Sequence, residues 1–170
     1  LLDNTDYYAD YQDLQRIEIV LGEDGVTKAV AFEPPYDMTQ KFFGGENRPE
    51  WFAAQVRHPH EFDKLVRACE RQVEKILPII IDSPAESLHM GSLSGLYGPR
   101  QWERYCLPFF KKYTHILHKR GKILWYHAHA SNLKFFKHLL AKSGLDVIES
   151  FTPPPVGNLS ISEAREAWGD

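Results

Sequence analysis

Alternating polar and apolar residues stand out in the first fifth of the chain. Arg16–Leu21 alternates, Gly22–Gly25 supplies turn residues with an Asp-Gly pair, and Val26–Phe32 alternates again. Two alternating segments joined by such a turn are typical of a β-hairpin. We therefore predict a hairpin over residues 16–33, inside an N-terminal segment that covers residues 1–58.

A helical period replaces this alternation after Pro59. The apolar residues of the first helical stretch recur every three or four positions, at Phe62, Leu65, Val66, Cys69, Val73 and Ile76. We predict that this helix ends or breaks near Pro78. A second helix is predicted from Pro99 to about Lys119, with a kink or split at Pro108, because proline interrupts helical hydrogen bonding.

Short apolar runs separate the helical stretches. They predict strands at 85–90, 123–126 and 145–148, and further helices at about 132–142 and 163–168. Alternating helices and strands are typical of βα units around a parallel sheet, so the fold class is α/β. A closed (β/α)8 TIM barrel takes about 250 residues, so residues 59–170 are predicted to form part of one. The missing initiator Met and the abrupt end indicate an internal piece of a longer protein.

Composition narrows the classes of function. The chain is 43% apolar with a net charge of −3 and has no basic stripe, which excludes nucleic acid as the expected partner. No run approaches the roughly 20 apolar residues of a membrane span, and no secretory signal is visible. Cys69 and Cys106 match no metal or redox spacing, which predicts buried reduced thiols in a cytoplasmic protein.

The candidate chemistry lies where predicted strands end. His127 and His129 follow an apolar strand and share one face of it, because side chains alternate with period 2. Glu149 closes the next predicted strand. A histidine pair at a strand end more often packs or lies at the surface, but parallel α/β proteins place their chemistry at carboxyl strand ends. We therefore take His127, His129 and Glu149 as candidate zinc ligands.

Other residues near these strand ends are candidates for the surrounding pocket. Besides Glu149, we take His89 and Tyr126 as candidate catalytic residues, and Glu86, Trp125 and Phe151 as candidate substrate-binding residues. Three of them have an ordinary alternative: Glu86 as a surface carboxylate, His89 as a satisfied core histidine and Tyr126 as a packed tyrosine. The high aromatic content, 13%, suits an aromatic-lined pocket or a core.

Three segments resemble the uroporphyrinogen decarboxylase superfamily of (β/α)8 barrels: residues 97–110, 119–129 and 143–159. The superfamily includes cofactor-free decarboxylases and zinc methyltransferases that work with corrinoid proteins. Many of those methyltransferases carry His-x-Cys at a strand end, where this chain has His127 and His129; imidazole also suits zinc. The resemblance therefore implies zinc, with Glu149 as a third ligand or as the partner that orients an imidazole. It also implies a small-molecule substrate and a corrinoid on a partner protein.

Two alternatives stay open beside methyl transfer. Decarboxylation of uroporphyrinogen would call for several arginines facing its carboxylates, and the sequence offers Arg48, Arg57 and Arg100 as candidates. A non-catalytic barrel fragment would leave open sheet edges, which favour pairing with another chain or a homo-oligomer. The resemblance favours methyl transfer over both.

Overall fold

Four parallel strands form one sheet in the computed structural model, which describes residues 2–45, 49–93, 98–128 and 132–169. The strands pair in chain order: β1 (Lys28–Val30), β2 (Ser87–Ser92), β3 (Ile123–His127) and β4 (Val147–Glu149). The helices are α1 (Gln12–Leu21), α2 (Pro35–Met38), α3 (Pro49–Arg57), α4 (Pro59–Asp82), α5 (Pro99–Gln101), α6 (Leu107–His118), α7 (Lys137–Leu140) and α8 (Ile161–Trp168). Helices connect each strand to the next, as parallel pairing requires.

The predicted order of βα units is confirmed. Strands β2, β3 and β4 overlap the predicted runs at 85–90, 123–126 and 145–148, and α4, α6 and α8 precede or follow them as expected. The predicted helix over 132–142 is shorter than expected, because a 3-10 turn, Leu133–Phe135, precedes the four residues of α7. The four sequential parallel strands are consistent with part of a TIM-like barrel, and the described residues do not themselves close a barrel.

The predicted hairpin over residues 16–33 is wrong. Arg16–Leu21 lies in α1, which ends at Gly22 (φ +55°), and Lys28–Val30 pairs with β2 in parallel. Leu14 and Leu21 are seven residues apart and share a face of a helix, so the segment satisfies a helical pattern as well as an alternating one. Leu14 packs against the core. Val26–Phe32 therefore pairs with a strand that is distant in sequence rather than with its neighbour.

The two proline predictions have different outcomes. Helix α4 continues through Pro78 to Asp82, so the predicted end near Pro78 is wrong. Pro108 does divide the second helix: a π-helical turn, Trp102–Cys106, separates α5 from α6. Proline lacks an N–H and its ring would clash with the carbonyl four residues earlier, and the wider turn accommodates both defects.

The sheet presents alternate residues to its two faces. Leu88, Met90, Leu124 and Tyr126 are fully buried on the face covered by helices. They belong to a core whose largest members on the helices include Trp102, Phe110, Tyr113 and Leu117. The residues between them in sequence point to the opposite face, which carries the candidate site.

Candidate functional site

The candidate site lies on the uncovered face of the sheet, where His127 and Glu149 close the carboxyl ends of their strands. We call this surface the site face and define it by Lys28, His89, Trp125, His127 and Glu149. One residue comes from β1 and one from β2, two come from β3 and one comes from β4. The site therefore depends on all four strands.

His127 and Glu149 lie directly opposite each other. They are register partners between β3 and β4, and His127 Nδ1 is 3.3 Å from Glu149 Oε2. The side chains are 32% and 30% exposed, so a solvent-side ligand can reach them. The parallel pairing of the two strands is what places the imidazole beside the carboxylate.

Lys28 brings a positive charge to this pair from the far side of the sheet. Its Nζ lies 2.5 Å from Glu149 Oε1. On a flat sheet, β1 and β4 would stand about 14 Å apart, since neighbouring strands are spaced about 4.8 Å. The contact therefore shows that the sheet curls and turns its first and last strands toward one another.

His89 completes the cluster from β2. Its Nε2 is 3.9 Å from Glu149 Oε2, and its ring centroid is 6.5 Å from that of His127. The β2–β3 register shifts between His89 and Ser92, and Gly91 lies there with φ +90°. A Cβ at Gly91 would come within 2.9 Å of Pro34 Cδ, so glycine permits this bulge beside the site.

The charges fix the hydrogen-bond direction between the facing pair. The hydrogen bond from Lys28 lowers the pKa of Glu149, so its carboxyl group is ionised at neutral pH. An ionised carboxylate only accepts, so His127 Nδ1 donates, and in the neutral form of the ring the lone pair is then on Nε2. Burial, followed by the nearby Lys28, lowers the pKa of His89 and favours its neutral form.

This donor set suits a zinc site in part. Zinc-binding histidines usually donate their second ring N–H to a carboxylate or carbonyl, as His127 does to Glu149. Within the described ranges, however, no three His, Cys, Asp or Glu side chains are arranged to hold a metal ion. His129, the predicted second ligand, lies outside the described residues.

Three predicted site residues lie away from the site face. Tyr126 is fully buried in the helix layer, where Trp102 Nε1 donates to its hydroxyl at 3.2 Å, which favours the packed-tyrosine alternative. Glu86 is exposed and lines a small groove at the amino end of the strands. Phe151 packs edge-on against Trp168, in the wall of a cavity of about 400 Å³ between α7 and α8.

Trp125 does lie on the site face. Lys28 Nζ is 5.4 Å from the centroid of its ring, in a cation–π arrangement. Its indole Nε1 is buried and has no hydrogen-bond partner among the described residues. The placement keeps Trp125 as a candidate substrate-binding residue.

Lys28 is the site residue that sequence reasoning missed. A lysine inside the apolar alternation of residues 26–32 is a signal, because strand interiors are poor in lysine. The hairpin interpretation paired residues 26–32 with residues 16–21 and therefore gave Lys28 no place beside the other strands. Parallel pairing with β2 instead places it on the site face.

Comparison with known proteins supports the fold. No protein-family model and no curated protein matches this chain. None of the described helices combines the length and apolarity needed to cross a bilayer. Among solved structures, the chain is similar to a methyltransferase from Methanosarcina mazei, with a TM-score of 0.67 and 11% identity. The alignment covers 99% of this chain and 50% of the methyltransferase, so the chain spans about half the length of that protein and shares its fold over that half.

Proposed function

We propose that this protein is a methyltransferase of the uroporphyrinogen decarboxylase superfamily that binds zinc on the site face. The observation that carries the proposal is the pairing of His127 with Glu149 at 3.3 Å, at the carboxyl ends of adjacent parallel strands. The similarity to the Methanosarcina mazei methyltransferase supports the reaction class.

Each residue of the proposed zinc site has its own role. His127 would hold zinc through Nε2, with His129 as the second ligand two residues further along the chain. Glu149 takes the orienting role rather than that of a third ligand, because its Oε2 faces the Nδ1 of His127. His89 and Trp125 line the same surface, where they would contact a small-molecule substrate.

Bound zinc supplies Lewis acidity, which lowers the pKa of a substrate thiol or hydroxyl. The methyl group would pass to or from a corrinoid carried by a partner protein. This chain's contribution is to orient the His127 ring through Glu149 and to place His89 on the same face, with its ring centroid 6.5 Å from that of His127. Trp125 would line one side of the site, where Lys28 Nζ is 5.4 Å from the centroid of its ring.

Decarboxylation of a porphyrinogen finds less support. Arg100 lines a groove with Phe52 and Gln55 of α3, and Arg57 is exposed at the end of that helix. Arg48 lies outside the described residues. The cation found on the site face is Lys28, which is already engaged by Glu149.

Zinc content tests the proposal. We expect about one zinc ion per chain in protein purified from zinc-supplemented medium. His127→Ala, alone or with His129→Ala, should lose the metal because the oriented ligand is gone. His118→Ala is the matched control, since His118 pairs with a carboxylate, Asp146, at 2.9 Å outside the site.

A folded wild-type protein that takes up no zinc at micromolar concentrations would overturn the proposal. Retention of zinc in the double variant would do the same. If zinc binds as expected, methyl transfer between a methyl donor and free cobalamin, followed by the cobalamin absorption spectrum, tests the reaction itself. Zinc binding without transfer to any corrinoid would point to the non-catalytic alternative.

A further inference from the structure

We infer that Lys28 is a positioning residue that directs the Glu149 carboxylate onto His127. The inference rests on the proposed function for its consequence, which is tighter zinc binding. It concerns a contact present without metal, so it can be tested independently. Strand β1, which the N-terminal segment contributes, thereby becomes part of the functional site.

The two carboxylate oxygens of Glu149 have different partners. Oε1 of Glu149 accepts from Lys28 Nζ, and Oε2 faces His127 Nδ1 at 3.3 Å. With Oε1 held, rotation of the carboxylate about its last bond is restricted. Oε2 is then the oxygen that both imidazoles approach.

Two imidazoles, those of His89 and His127, lie within reach of Glu149 Oε2. His89 Nε2 is 3.9 Å from the same Oε2, only 0.6 Å farther than His127 Nδ1. A small rotation of the carboxylate would bring Glu149 to His89 instead. The ion pair with Lys28 therefore selects which histidine is oriented.

The ring of Trp125 restrains the Lys28 side chain. Its ammonium lies 5.4 Å from the Trp125 ring centroid, and its side chain is 34% exposed. Ion pairs in full solvent hold geometry poorly, because both side chains are mobile and screened. The aromatic ring limits the positions of the lysine side chain and keeps its charge beside Glu149.

A purely structural role would have a different signature. The ion pair joins β1 to β4, so Lys28 could also serve only to hold the sheet in its curled form. In that case, removal would lower stability and leave the His127 tautomer unchanged. The tautomer is therefore the readout that separates the two roles.

The test uses metal-free protein and histidine ¹⁵N chemical shifts. Wild type should show His127 as the Nδ1–H tautomer. In Lys28→Met, which keeps the length of the side chain and removes its charge, the signal should shift toward the Nε2–H tautomer. Lys28→Arg should restore the wild-type spectrum. Lys134→Met is the matched control, since Lys134 pairs with Glu163 at 2.6 Å away from the site.

Zinc affinity provides the second readout. By competition with a chelator, Lys28→Met should weaken zinc binding about 10-fold, the lower end for partners of metal ligands. An unchanged His127 tautomer in folded Lys28→Met would overturn the inference. If that variant does not fold, Lys28→Gln takes its place under the same criterion. If Lys28→Met shows the tautomer shift but the wild-type protein binds no zinc, the proposed function is overturned and the positioning role of Lys28 remains.

Discussion

Gly144 shows how one residue controls the strand that carries Glu149. It lies three residues before β4 with φ +81°, in the left-handed region that glycine tolerates best. A Cβ there would lie 2.5 Å from Thr114 Oγ1. That hydroxyl is itself within 3.0 Å of the Ser143 carbonyl, so α6 and the turn into β4 are locked together.

Gly144→Ala should therefore lower the free energy of unfolding by about 2–5 kcal/mol, the sum of left-handed strain and overpacking. Gly121→Ala is the control: its φ is +70°, but nothing lies within 4 Å of the added Cβ. It should cost only the strain, about 1–2 kcal/mol. Urea denaturation measures both, and equal losses would refute the role of the Thr114 contact.

Some residue contacts of the candidate site could be predicted from the sequence, and others could not. The juxtaposition of His127 and Glu149 could be predicted, because apolar runs locate the strand ends and parallel strands bring their carboxyl ends together. The same alternation already places Tyr126 on the opposite face from His127, so its packed position was readable from the sequence. The contact of Lys28 with Glu149 was not, because it depends on the curl of the sheet.

Helix α8 illustrates the element scale. Its N-terminus carries a capping box in which the Ser160 side chain accepts from the Glu163 amide and Glu163 accepts from the Ser160 amide. Lys134 adds an ion pair to Glu163. Glu163 follows Ser160 by three residues, which is the spacing that a capping box requires.

The stability of α8 should depend on acid pH. The hydrogen bond from Lys134, followed by those from Ser160, lowers the pKa of Glu163 from 4.5 to about 2. A lowered pKa contributes stability that is complete above pH 4.5 and is lost as the pH falls toward 2. The Tm should fall less steeply over this window in Glu163→Gln than in wild type.

Glu166→Gln provides the control on the same helix, since Glu166 is exposed and outside the cap. Thermal unfolding at half-unit pH steps gives the comparison. Identical pH profiles for wild type and Glu163→Gln would contradict the lowering of the Glu163 pKa by Lys134 and Ser160.

Elements differ in how well local sequence defines them. Long periodic stretches such as α4 and α6 were predicted, because their apolar stripes are sustained over several turns. The segment Arg16–Leu21 fits two periods at once, and contacts outside it decide between them. Pro78 was read as a terminus, although a long helix packed against the core can retain an internal proline.

At the scale of the whole molecule, the two faces of the sheet are unequal. Helices bury one face, whereas Val30 and Ile123 on the other are 74% and 44% exposed. Parallel sheets are usually covered on both faces. The order of βα units could be predicted from alternating elements, but what covers the second face depends on contacts that no local pattern encodes.

This exposure predicts association with a second copy of the chain. Light scattering after gel filtration should show a mass that rises with protein concentration, because contact between copies removes apolar surface from water. Val30→Thr with Ile123→Thr should reduce the association. Val156→Thr, which changes an exposed loop residue, should not. A monomer mass at every concentration tested would refute this prediction.

The ion pair between Lys28 and Glu149 has a consequence for how the protein folds. The two residues are 121 positions apart, and they belong to the first and last strands of the sheet. Contacts of such long range form late, because a large loop must close before they contribute any energy. Local βα units could assemble early, yet His127 would acquire its oriented tautomer only when the outermost strands meet. Metal-binding competence would then mark the completion of folding and remain absent from partly folded chains.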